Sequence, residues 1–281
     1  MLKEELSRAI KSWRFAVSLI FVNLLVCIHQ IFFIIPQSQY LDLFSGDPMM
    51  CPHSLFNKWI GLDFGGFMSL ALYWLFPLIA AFPFADSYFW DVQKGYAENI
   101  LVRCSRAKYL RAKLLAVGIS SALLVLIPLV LDLFLTAMWI PAITPQPITN
   151  TFPVTYLGMW SKIYYLHPWL YVALYTLLDT VFISTTIVCS VAIGKFCSNS
   201  FEVLLLPFVI YIVSYFACMW LKIAQFSPMY FLFPHQPTWG IRTWIIVVEW
   251  CVMAAIILCF YLREKKHDVC ICLLYTSDAA D

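Results

Sequence analysis

Residues 120–135 read SSALLVLIPLVLDLFL. One charge, Asp132, interrupts an otherwise apolar run. A strand crossing a membrane alternates apolar and polar side chains at every second position. This stretch does not alternate. A helix satisfies its own backbone in lipid without closing a barrel. The stretch therefore reads as the middle of a membrane-spanning helix, with 114–140 as its full extent.

Composition supports the same solvent. The chain has 281 residues, is 62% hydrophobic and only 12% charged. A water-soluble domain carries about twice that share of charge. A net charge of +2 gives no electrostatic basis for binding nucleic acid. Five further segments approach the roughly 20 apolar residues that a helix needs to cross the hydrocarbon core. The six expected spans are 15–35, 64–84, 114–140, 169–193, 203–221 and 243–262. They make one all-α transmembrane domain over 1–266. The first is too long for the apolar core of a cleaved leader and has no small-residue cleavage site after it.

Lysine and arginine set the expected orientation. Of the 18 basic residues, 14 fall in the N-terminal segment, the second and fourth loops and the C-terminal segment. Lys58, Lys162, Lys222 and Arg242 fall on the other side. Both termini are thus expected in the cytoplasm, as an even number of spans requires. Trp13, Trp59, Trp139, Trp169, Trp220 and Trp244 fall at span ends, where an amphipathic ring suits the headgroup layer. The segment LKEELSRAIKSWRF predicts a short amphipathic helix before the first span.

The ten cysteines do not form a framework. Cys27, Cys189, Cys218, Cys251 and Cys259 lie in apolar runs, where cysteine acts as a small hydrophobe. Cys51 has no expected partner on its side of the membrane. The pair Cys270 and Cys272 lacks the second ligand pair that zinc requires. Residues 272–281, CLLYTSDAAD, resemble a non-native read-through tail.

Three acids fall inside the expected spans: Asp132, Asp179 and Glu249. At about 1.5 Å per residue they lie about 12, 15 and 9 Å from the outer span ends. An ionised group there is costly unless it is paired or wet. They either line a polar cavity and meet a cationic or polar substrate, or bond to neighbouring helices. His29 and Asn23 are expected to bond between helices, and Glu249 to lean toward Arg242. His235 reads as exposed and without a role. Pro77, Pro83, Pro128 and Pro207 are expected to kink or loosen their helices. The proline-rich loop 141–168 is expected to cover the outer mouth. No HExxH, GxSxG or Ser-Lys arrangement points to catalysis.

The second loop, DVQKGYAENILVRCSRAKYLRAK at 91–113, holds six basic residues. It predicts two short cytoplasmic helices. Asp86 or Ser87 would cap the first, Asp91 would be its early acid, and Ser105 would cap the second. Lys94 and Glu98 are spaced to pair. Tyr88, Phe89, Trp90, Tyr96 and Tyr109 mix rings with charge, as contact surfaces do. A basic segment holding anionic lipid is the plainer alternative.

The pattern D-x3-G-x5-L-x-R-x-S-R-x2-Y-L-x2-K resembles the loop between the second and third spans of ABC-2 type permeases. Here it is carried by Asp91, Gly95, Leu101, Arg103, Ser105, Arg106, Tyr109, Leu110 and Lys113. Cys104 stands where that family often has proline. The resemblance implies the membrane subunit of an ABC exporter in a cell membrane, in particular a bacterial cytoplasmic membrane. It also implies a second permease copy, homologous or identical. Asp91, Gly95, Glu98, Arg103 and Arg106 would contact a separate ATPase subunit, which would hold ATP and magnesium. The chain has no GxxxxGK[ST] loop of its own; GKF at 194–196 lacks both the first glycine and the Ser/Thr. Two other readings stay open. One is a proton-coupled secondary transporter using the three intramembrane acids. The other is a non-transporting assembly or sensor protein.

Overall fold

The computed structural model describes residues 1–39, 53–63, 66–147 and 152–277, with side chains to 265. Cys51 and the tail beyond 277 lie outside the described residues. All regular structure among them is helical.

Five helices are long and apolar enough to cross a membrane. They are α2 (Trp13–Ser38), α7 (Arg106–Trp139), α9 (Pro168–Phe196, its last turn 3-10), α10 (Ser200–Trp220) and the described part of α12 (Thr243–Lys265). The expected second span appears as the shorter α4 (Phe67–Ala81). Its 15 residues reach only about 22 Å, short of a hydrocarbon core of about 30 Å. Pro83 has no amide hydrogen for the Ile79 carbonyl, so the ladder breaks there and turns lead on to Ser87. Pro77, Pro128 and Pro207 stay inside α4, α7 and α10.

The short elements complete the chain order. α1 (Leu2–Ile10) precedes α2, and α3 (Leu55–Lys58) precedes α4. α5 (Ser87–Gln93) and α6 (Tyr96–Leu101) lead into α7. α8 (Ser161–Leu166) and α11 (Pro228–Leu232) lie in the later connections.

α9 is the central post, touching α4, α7, α10 and α12. Its hydroxyls do not face lipid unpaired. Thr176, Thr180 and Thr185 each donate to the carbonyl four residues back, at 2.7–2.8 Å. That is the local solution for a polar side chain in a medium without water. α10 and α12 are the outer posts, and Val209, Val213, Phe216, Val248 and Val252 on them are exposed. Apolar surface of this kind suits lipid.

α1, the α5–α6 pair, the start of α7, Lys195 and Glu264 all meet at one end of the bundle. These are segments that the distribution of Lys and Arg assigns to a single side. The other end is closed by side-chain clamps. Trp59 donates to the Leu129 carbonyl at 3.1 Å. Tyr171 donates to the Pro234 carbonyl at 2.5 Å. In the 141–168 connection, Gln236 holds Met159 through its amide N–H (2.6 Å) and its carbonyl (2.7 Å).

Candidate functional site

The elbow beneath the bundle begins with α1. Its sequence places Glu5, Arg8 and Ala9 on one face, and that face packs on α7. Ser12 then caps α2 by accepting from the Phe15 amide at 3.1 Å. The Lys113 ammonium, 0% exposed, lies 2.6 Å from Glu5 and 2.5 Å from Asp91. Arg8 reaches Asp91 at 3.0 Å and Glu5 at 2.9 Å. Tyr109 donates to Asp91 at 2.7 Å. Two acids and two bases balance, so the buried cluster carries no net charge. A buried charge without its partner would be strongly destabilising.

Two further joints flank this cluster. Arg14 pairs with Asp86 at 2.9 Å, and the Trp90 indole donates to the same carboxylate at 3.0 Å. Glu264 accepts from Lys195, lies 3.4 Å from Arg106 and receives the Tyr88 hydroxyl at 3.4 Å. α1, α2, α5, α7, the last turn of α9 and α12 are thereby tied at one level.

Asp91 is only 4% exposed, so its carboxylate serves the inside of the elbow. Burial opposes its ionisation. Bonds from Arg8, Lys113 and Tyr109 outweigh burial and hold the carboxyl below its ordinary range. Burial first, and then Glu264, pushes the Tyr88 phenol up to about 12. Gly95 joins α5 to α6 at φ +69°, a left-handed conformation suited to glycine. Lys94 therefore falls in the turn after α5 and Glu98 on α6, and Lys94 lies over the Trp90 ring, 4.4 Å from its centre. Asp86 occupies the cap position of α5, but its side chain makes no cap bond. Ser105 occupies the cap position of α7 with extended backbone and likewise no side-chain cap bond.

Glu98 and Arg103 face solvent. Val102 between them is 88% exposed, and Val92 and Tyr96 are exposed beside them. Arg106 is half-buried against Glu264. The helix pair thus has a locked inner face and an open outer one. Sequence reasoning missed Glu5, Arg8, Arg14, Lys195 and Glu264, and gave Asp86 only the role of a helix cap. The opposed charges of α1 were the one available signal.

The three intramembrane acids separate. Asp132 is 0% exposed and accepts from Gln30 and the Ile60 amide, both at 2.8 Å, with His29 Nδ1 at 2.9 Å. A π-helical turn, Gln30–Ile34, starts at this point of α2. Such wide turns often mark functional positions. Asp179, also fully buried, accepts from the Tyr73 hydroxyl at 2.9 Å. Both carboxyls are bonded to neighbouring elements. Glu249 instead lines a groove of about 320 Å³ among α9, α10 and α12. Arg242 is exposed, and no bond joins it to Glu249.

His29 bonds between helices as expected. Asn23 does not: it donates to the Leu19 carbonyl of its own helix at 2.8 Å. His235 is 9% exposed and lies against Phe233, with ring centres 4.8 Å apart, so it is buried and not a surface residue. The flanking aromatic and proline residues had placed it in a loop, but not inside that loop's core. Among the described residues no group of three His, Cys, Asp or Glu side chains is placed to hold a metal.

Comparison with protein-family models, curated proteins and solved structures finds no match to this chain.

Proposed function

We propose that the chain is the membrane-spanning subunit of an ATP-driven exporter of the ABC-2 type. In this reading its motor is a separate ATPase subunit that docks on the α5–α6 pair. One observation carries the reading: that pair is clamped to the bundle on one face and open on the other. A push on Glu98, Val102 or Arg103 would reach α1, α2 and α7 through Asp86 and Asp91. The exporter would place both termini and the elbow in the cytoplasm and would work with a second permease copy.

A photo-crosslinking residue at Val102 or Arg103 in native membranes tests this. The expected product contains a protein with a phosphate-binding loop. A reporter at Arg103 that proves external, or crosslinks to lipid alone, overturns the reading.

Transport driven by a proton gradient is a second reading, favoured by Asp179. One of its oxygens has no hydrogen-bond partner although the residue is fully buried. Export abolished by a protonophore at constant ATP would select this reading over the first.

A further inference from the structure

The bundle end opposite the elbow holds a cavity of about 470 Å³ between α4, α10, α11 and the 233–237 segment. Phe67, Trp74, Tyr215, Tyr230 and Phe233 give it an aromatic lining. Trp74 and Tyr215 meet with ring centres 5.6 Å apart, and Tyr215 and Tyr230 at 5.5 Å. Phe233 lines the cavity too, packed against Tyr73 and His235. Asp63 is the acid of the lining, with His235 near it.

Three further observations point to a ligand. Ser69, on the cavity wall, is 1% exposed and its hydroxyl has no hydrogen-bond partner. The Trp74 indole N–H, on the same wall, is also buried and unpartnered. Buried polar groups of this kind are ordinarily satisfied. His29 lies between two carboxylates, 2.9 Å from Asp132 and 3.7 Å from Asp63. Two carboxyls thus share one imidazole.

We propose that this cavity binds a small organic cation with a quaternary ammonium head. The aromatic faces carry negative potential and attract a cation that has no N–H to donate. Asp63 supplies the opposite charge. An uncharged solute of the same shape would gain the contacts but no attraction to Asp63. The head could come from a free solute or from a choline-bearing lipid, and its chemistry is the same in both. The proposal concerns equilibrium binding and does not rest on the exporter reading.

The test uses the full chain in an uncharged sugar detergent, titrated calorimetrically with choline and with its neutral isostere 3,3-dimethyl-1-butanol. Choline is expected to saturate one site and to bind about tenfold or more tighter than the isostere, a difference of about 1.4 kcal/mol. Asp63→Asn and Tyr215→Leu are each expected to weaken choline several-fold. Equal binding of choline and isostere overturns the proposal, and that comparison needs no variant to fold. So does unchanged choline affinity in both variants. In the wild-type protein, displacement of choline by a short-chain phosphocholine lipid, with no displacement by a phosphoglycerol lipid, assigns the headgroup source. Failure of both lipids to displace it assigns a free solute.

Discussion

The ammonium of Lys113 lies 2.6 Å from the carboxylate of Glu5, and both side chains are shut off from solvent. α1 is thus fastened to α7 by a buried ion pair and not by apolar contact alone. Lys113→Met leaves Glu5 and Asp91 facing Arg8 alone. We expect a loss of about 3–5 kcal/mol, the range for stranding one buried charge. Adding Glu5→Gln restores the balance, so the double variant should be more stable than Lys113→Met. Thermal unfolding in detergent measures both. A double variant no better than the single would show that charge balance is not what holds the elbow.

Gly95 isolates a backbone effect. A Cβ there would meet nothing within 4 Å, so only the φ of +69° resists substitution. Gly95→Ala should cost about 1–2 kcal/mol, and Gly95→Asn less, because asparagine tolerates that conformation. The same unfolding measurement reads both. Equal stability of all three proteins would mean that the turn relaxes.

Gly66 is the steric opposite. A Cβ on it would stand 2.0 Å from Asp63 Oδ2, so Gly66→Ala must push the carboxylate aside. A loss of about 1–3 kcal/mol is expected, as for other overpacked sites. Choline binding should fall with it if Asp63 moves.

His235 should make stability depend on pH. Burial lowers its pKa to about 4, although the Gly61 backbone and Asp63 act the other way. The ordinary value is about 6.5. The folded state therefore resists a proton that the unfolded chain accepts. This contribution is fully present above about pH 6.5 and is lost as pH falls toward 4. Between pH 7 and pH 5 the loss is about 2 kcal/mol. His235→Gln should flatten that part of the stability curve. A slope unchanged in the variant would assign the pH dependence to another group.

The spans were legible because lipid imposes a length and a polarity that any stretch such as 120–135 must show. Their partners were not. Arg8 meets Asp91 across 83 positions, and His29 meets Asp132 across 103. No local pattern encodes such distances. The motif placed Asp91 in the elbow but could not say which way it faced. Burial of Asp91 depends on Lys113 arriving from α7, two helices on. α4 came out short because Pro83 halts a segment that hydropathy alone would extend. His235 looked exposed because its neighbours in sequence are turn formers, while its neighbours in space are rings.

The neutrality of the elbow restricts how this molecule can move. Glu5 and Arg8 cancel within α1, but Asp91 and Lys113 sit on different helices, so neither α5 nor the root of α7 can withdraw alone without leaving a naked ion in a dry place. The α5 helix and the root of α7 must travel as one shoe, against which the amphipathic foot is a neutral unit. Bending has to be found above that shoe, where proline interrupts the rods, or beyond it at the left-handed glycine.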